Sequence, residues 1–213
     1  MTANNDTIAP GSGGATGSGR GRDQLANLPN LLTYGRIAAV PLFVACFFIE
    51  GHAGRWLALF IFVTASVTDF LDGYLARAFD QHSSLGRMLD PIADKLLVAA
   101  ALLALTFSGT IGCVSLWASL VILSREILVS GLREFLAEVR VSVPVSRLAK
   151  WKTAVQMASI GFLVAGPAGD AVFEPPVATW VGVTGLWIAA VLTLYTGYDY
   201  FRASYRYLMD DAG

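Results

Sequence analysis

Residues 68–95 read TDFLDGYLARAFDQHSSLGRMLDPIADK, and this stretch decides how the rest of the chain is understood. Asp69 and Asp72 are three residues apart, Asp90 and Asp94 four, and on a helix either spacing sets both carboxylates on one face. The first pair lies at the end of an apolar run that starts near Trp56, and the second opens another that continues to Phe107. Two helices therefore aim four carboxylates at one point. Carboxylates at that depth need a compensating cation, and four oxygen donors with no His or Cys at ligand spacing suit a hard divalent ion, Mg2+ or Mn2+. Gly73 and Ala76 share the stripe of Asp69 and Asp72, so that face is acidic yet nearly bare of side-chain bulk, leaving space for something other than protein. Arg77, at the end of the stripe, adds a bidentate donor suited to phosphate. Helix capping would account for one of the two acidic pairs at best.

Around this stretch the chain of 213 residues is 55% hydrophobic and 15% charged, with a mean hydropathy of +0.58. That balance is too apolar for an ordinary soluble domain and predicts an all-α integral membrane bundle. A net charge of -1 gives no case for a nucleic-acid partner. Apolar runs occupy about Leu31–Ile49, Trp56–Ala78, Ile92–Phe107, Ile111–Leu136, Thr153–Val164 and Val177–Tyr198. The fifth is short and can extend toward Arg147. Six helices of roughly 17 to 25 residues fit a bilayer core of about 30 Å. Residues 1–22, rich in Gly and Ser and without a signal-peptide core, read as a disordered tail; residues 23–213 form one membrane domain. Cys46 and Cys113 lie in separate apolar runs and read as small buried hydrophobes, and His52 and His82 receive no role.

The distribution of positive charge sets the orientation. Arg55 is the one Lys or Arg in the first inter-span connection, and none lies between Phe107 and Ile111 or between Val164 and Val177. Both termini are accordingly expected in the cytoplasm, which six spans satisfy. Asp69, thirteen residues beyond Trp56, then lies about 20 Å in from the outer edge and roughly 10 Å from the cytoplasmic side. A water-filled pocket can meet lipid tails at that depth.

A second cluster follows. Ser124–Glu138, SREILVSGLREFLAE, carries Arg125, Glu126, Arg133 and Glu134 on an otherwise apolar helix, with Glu126, Ser130 and Arg133 on one face, where charges can pair internally. Arg147, Lys150 and Lys152 stand just before the fifth run. Basic residues collect on the cytoplasmic side in any case, but arginines within a membrane helix need an anionic partner, and a phosphate-bearing acceptor would supply one.

The spacing from Asp69 through Asp72-Gly73, Ala76-Arg77, Gly86 and Asp90 to Asp94 resembles the complete signature of the CDP-alcohol phosphatidyltransferases, with no departure in residue type or gap. The strings NLPNLLTYGRI, LGRMLDPIADKLLV, REILVSGLREFLAE and KWKT are similar to the bacterial members whose acceptor is sn-glycerol 3-phosphate, and the likeness runs from Leu28 to the C-terminus. The resemblance implies an enzyme of phospholipid synthesis in the cell inner (cytoplasmic) membrane, its active site facing the cytoplasm. It would move a phosphatidyl group from CDP-diacylglycerol to sn-glycerol 3-phosphate with release of CMP. It further implies that Asp69, Asp72, Asp90 and Asp94 hold two divalent ions and that Asp94 takes the acceptor's proton. Gly73, Ala76, Arg77 and Ser83 would meet the CDP moiety, joined by Asn30, Thr33 and Arg36 from the first span. Arg125, Arg133, Lys150 and Lys152 would bind the acceptor phosphate. Gly86 is expected in a tight turn between the acidic helices, with Pro91 in the first turn of the second, and Lys95 balances the Asp charge.

Two other readings stay open. One keeps the family and exchanges the acceptor for another alcohol such as inositol phosphate. The other is a divalent-cation transporter, because intramembrane carboxylates also mark ion pathways. Gly182, Gly185 and Ala189 make a small-residue face that could approach another helix closely, which is compatible with a homodimer or with packing against membrane lipids.

Overall fold

The computed structural model describes residues 28–79, 84–139, 147–172 and 176–210. Among these are six α-helices and no strand: α1 Leu28–Cys46, α2 His52–Phe79, α3 Ser84–Phe107, α4 Cys113–Glu138, α5 Arg147–Asp170 and α6 Val177–Asp210. Each apolar run has become a helix. The fifth run does extend back to Arg147, and the sixth continues beyond Tyr198 to Asp210. The N-terminal tail lies outside the described residues.

Large side chains from every helix meet in one core. Phe43, Phe62, Leu97, Leu105, Ile122, Ile160, Leu163 and Leu186 are all 2% exposed or less. Ala58, Ala101, Ala118 and Ala189 are completely buried between them, where a larger residue would hold the helices apart. The outside is the reverse of a water-soluble surface: Leu103, Phe107, Val114, Trp117, Leu128 and Trp180 are all exposed. Among the described residues, two helical segments, Cys113–Ala137 and Val177–Arg202, are long and apolar enough to cross a membrane.

The helices are not arranged as a simple ring. The most extensive interface joins α5 and α6, and α4 packs on α6. At the other side α1 packs on both α2 and α3, whereas α2 and α3, which carry the acidic pairs, barely touch each other among the described residues. α1 is therefore the wedge that sets the distance between the two acidic helices. α2 in turn leans on α5, which ties the two halves together.

Three expectations are corrected here by local chemistry. The sequence places Gly86 in a turn and Pro91 in a first helical turn, but α3 already starts at Ser84, so Gly86 is helical and Pro91 lies well inside. Serine is favoured where a helix begins, and this start moves the connection upstream of Gly86. The expected small-residue face of α6 is present but is spent inside the chain. A Cβ on Gly182 would come within 2.6 Å of Leu163 Cγ, and one on Gly185 within 2.2 Å of Ser159 Oγ. These positions hold α6 against α5 and provide no argument for a homodimer. Cys46 is buried as expected, but Cys113 is exposed, because it stands at the first turn of α4 where the helix emerges from the bundle. α5 breaks at Gly166, whose φ of +33 lies in the region that favours glycine, just before Pro167. Beyond that kink, Asp170 accepts hydrogen bonds from Thr179 N and Oγ1, closing the connection to α6.

Candidate functional site

The site grows from two side chains of α1. Thr33 and Arg36 are three residues apart, share a face, and are 1% and 2% exposed. Thr33 Oγ1 donates to Asp90 Oδ1 on α3 at 2.6 Å, while the Arg36 guanidinium pairs with the Asp69 carboxylate on α2. One helical turn thus holds one member of each acidic pair, which explains how α2 and α3 can present carboxylates to one place with little contact of their own. Hydrogen bonds to charged groups are the stronger class, roughly 1.5–3 kcal/mol, so the two links fix the acids rather than merely neighbour them.

Asp69, Asp90 and Asp94 line one wall of a cavity of about 730 Å3, and Arg125, Arg133, Lys150 and Lys152 line the rest of it together with Glu126 and Tyr200. The acidic stretch and the basic cluster, more than thirty residues apart in the chain, therefore face the same space. Its size falls within the roughly 300–1,000 Å3 of ordinary ligand sites. The side chains of Asn30, Asp72, Gly73, Ala76 and Arg77, and all of Ser83, lie outside the described residues. Among the described residues, no three acidic, His or Cys side chains stand close enough to hold a metal ion by themselves. The donor set nonetheless fits a hard cation: three carboxylates share the cavity, and Asp69 already takes a cationic partner in Arg36.

The basic side is built differently from what helical spacing suggested. Glu126 does not pair within α4 but with Lys152 of α5, which is 4% exposed. Arg125 Nη2 donates to Thr196 Oγ1 on α6 at 3.0 Å, and its Nε is buried without a hydrogen-bond partner. Gly197 gives it room, since a Cβ there would approach Arg125 Cγ at 3.1 Å. Arg133 Nη2 donates to Tyr200 Oη at 3.3 Å, with the guanidinium carbon 5.5 Å from the ring centroid. Among the described residues of this charged stretch, the internal link on α4 is a long contact, Ser130 Oγ to Glu134 at 3.5 Å. Lys150 is exposed at the rim. Lys95 Nζ donates to the Pro91 carbonyl at 3.0 Å, a carbonyl on its own helix. Thr196 and Tyr200, which seat the arginines, carried no signal in the sequence: Thr196 sits in the apolar sixth run and Tyr200 just beyond its end, and their role appears once α6 packs on α4.

A second cavity of about 720 Å3 lies between α2 and α5 and is almost wholly apolar, walled by Trp56, Phe62, Val63, Val67, Met157 and Phe162 among others. Its Ser66–Val67 end is within one helical turn of Asp69.

A sequence model described as CDP-alcohol phosphatidyltransferase matches residues 26–195. A protein of Rickettsia bellii is 50% identical over 181 residues, covering 85% of this chain and 97% of its own length. One of Cereibacter sphaeroides is 42% identical, covering 87% and 98%, and one of Pseudomonas fluorescens is 39% identical, covering 87% and 93%. Each of the three carries the name CDP-diacylglycerol–glycerol-3-phosphate 3-phosphatidyltransferase.

Proposed function

The chain belongs to the CDP-alcohol phosphatidyltransferase family, and from that premise we infer that it transfers the phosphatidyl group of CDP-diacylglycerol to sn-glycerol 3-phosphate, releasing CMP. The observation that carries this reading is the single cavity faced by Asp69, Asp90 and Asp94 on one wall and by Arg125, Arg133, Lys150 and Lys152 on the other. A nucleotide diphosphate and a phosphorylated alcohol both need such a place, and a lipid-linked donor needs it beside apolar space, which the cavity along α2 and α5 offers to an acyl chain.

In the reaction, an acceptor hydroxyl oxygen forms a bond to the phosphorus that carries the diacylglycerol, and the bond from that phosphorus to the CMP oxygen breaks. Asp94 receives the hydroxyl proton. A carboxylate is a weak base at neutral pH, so alignment of the alcohol supplies much of the activation. Arg125, held on Thr196, and Arg133, held on Tyr200, bind the acceptor's phosphate and thereby position its hydroxyl; a guanidinium presents a fixed fork to phosphate. Lys150 and Lys152 add charge, that of Lys152 being shared with Glu126. Asp69, Asp72, Asp90 and Asp94 would hold Mg2+ or Mn2+, two ions in all, which when bound would neutralise the diphosphate and stabilise the departing CMP. Arg36 and Thr33 keep Asp69 and Asp90 turned toward that space, and together with Asn30, Gly73, Ala76, Arg77 and Ser83 they border the CDP moiety. All six helices cross the inner (cytoplasmic) membrane with both termini in the cytoplasm, and residues 23–213 act as one domain. The exposed apolar side chains of the bundle are what lipid contact requires.

The test is CMP release by the purified chain in detergent with Mg2+ and CDP-diacylglycerol. Glycerol 3-phosphate supports release and inositol phosphate does not; release with inositol phosphate alone would overturn the acceptor assignment.

A further inference from the structure

Beneath the reaction cavity, on the side of the bundle interior, lies a small pocket of about 30 Å3. Its polar wall is Asp94, Lys95, Glu126, Thr153 and Gln156, and Val98 helps close it below. Asp94, Lys95, Glu126 and Thr153 also line the large cavity, so the two spaces adjoin across Asp94. The pocket is far too small for a substrate, but a polar site needs only roughly 10–15 Å3 to accept one water, given two or more polar partners.

Gln156 is the feature the proposed reaction does not use. It is 2% exposed, lies on a helix otherwise packed in an apolar bundle, and its Oε1 is buried without a hydrogen-bond partner. Buried amide atoms are seldom left so, because the desolvation cost is then uncompensated. Asp94 differs from its neighbours in a related way. Asp69 is fixed by Arg36 and Asp90 by Thr33, whereas among the described residues no side chain donates a hydrogen bond to Asp94. The unsatisfied amide and the unfixed carboxylate line the same water-sized pocket.

We propose that Gln156 is a positioning residue for Asp94, acting through one water held in this pocket. The water donates one hydrogen to Asp94 and the other to Gln156 Oε1, and it can accept one from Lys95 Nζ within the same wall, since the Thr153 hydroxyl is already donated to the Ala149 carbonyl. One carboxylate oxygen is thereby tied from behind, and the other faces the acceptor. An amide suits this task because it is neutral: a carboxylate at position 156 would add charge beside Glu126, and an apolar side chain would leave the water one partner short. Residue 156 touches neither substrate, and its effect should appear in the rate rather than in binding.

This inference rests on the reading of Asp94 as the proton acceptor. Two variants test it from opposite sides, each assayed for CMP release and normalised to the fraction that binds CDP-diacylglycerol. Gln156→Met keeps the length of the side chain and removes its hydrogen bonding. Val98→Ile keeps Gln156 and fills the pocket with a methyl group. Both are expected to lower kcat at least tenfold, with KM for both substrates within twofold of wild type and an unchanged melting temperature. Val98→Ile keeps the test alive if Gln156→Met does not fold. A kcat within twofold of wild type in either folded variant, or a loss that appears in KM, overturns the proposal. An inactive wild-type chain would instead strike at the enzymatic reading itself, so the two failures are distinguishable.

Discussion

Lys152 was expected to bind the acceptor phosphate, yet it is buried against Glu126, and a double-mutant cycle separates the two roles. Glu126→Gln leaves a buried ammonium without its carboxylate. Breaking a fully buried pair costs about 3–5 kcal/mol, and the Glu126 side chain is 21% exposed against 4% for Lys152, so water entering from the cavity reduces this to about 2–3 kcal/mol. At about 2–4 °C per kcal/mol for a chain of this size, the melting temperature in detergent should fall by about 4–12 °C. Lys152→Met alone leaves Glu126 beside Asp94 with its cation removed and should also destabilise, though less, because Glu126 reaches water. The double variant Glu126→Gln/Lys152→Met removes both charges at once and should recover most of the loss, since no buried charge is then left without its partner. Additive losses would show that the pair is not coupled and would refute this account of the basic wall. Kinetics of the same double variant then decide the functional half: a KM for glycerol 3-phosphate raised about tenfold, equivalent to about 1.4 kcal/mol, keeps Lys152 among the acceptor contacts, and an unchanged KM removes it.

Asp94→Asn should abolish measurable CMP release while CDP-diacylglycerol binding persists; unimpaired turnover would remove it as proton acceptor. Arg133→Ala should raise KM for glycerol 3-phosphate by about ten- to a hundredfold, the loss of one charge-assisted contact of roughly 1.5–3 kcal/mol, with a smaller effect for Tyr200→Phe, which removes the hydroxyl that seats the guanidinium; an unchanged KM in Arg133→Ala would count against the basic wall. Gly185→Ala should prevent the normal α5–α6 approach and lower the melting temperature by several degrees, because the new Cβ would stand 2.2 Å from Ser159 Oγ, and the added change Ser159→Ala should restore part of it. A thermally neutral Gly185→Ala would mean that the interface is looser than described.

What the sequence revealed and what it concealed divide along the range of the interactions involved. Helical spacing is local, so the two acidic pairs, the six helices and the placement of basic residues on α4 and α5 could be read before any fold was known. Which side chains those charges would choose could not. Within α4 the spacing made Glu126 and Arg133 neighbours, but Glu126 lies with Lys152, twenty-six residues away, and Arg133 with Tyr200, sixty-seven away. In each case a partner from another helix wins because it is brought in at lower exposure, where a charge most needs compensation. The small face of α6 shows the same limit: glycine spacing announces a close approach without naming the helix approached, and here α5 takes it.

The role of α1 shows most plainly how the site depends on such distant choices. In the sequence Thr33 and Arg36 are polar groups at the start of an apolar helix, and the family resemblance implies that they meet the CDP moiety. In the fold they reach thirty-three and fifty-seven residues along the chain, Arg36 to Asp69 and Thr33 to Asp90. Since α2 and α3 barely touch among the described residues, this third helix sets the separation of Asp69 and Asp90. Precision at the acids therefore depends on the packing of Phe43 and its neighbours as much as on the acids themselves. A change such as Phe43→Ala, costing about 3–5 kcal/mol at a fully buried aromatic site, should impair turnover by displacing α1 even though Phe43 faces the core; full kcat in a variant so destabilised would show that the acidic helices hold their spacing without it.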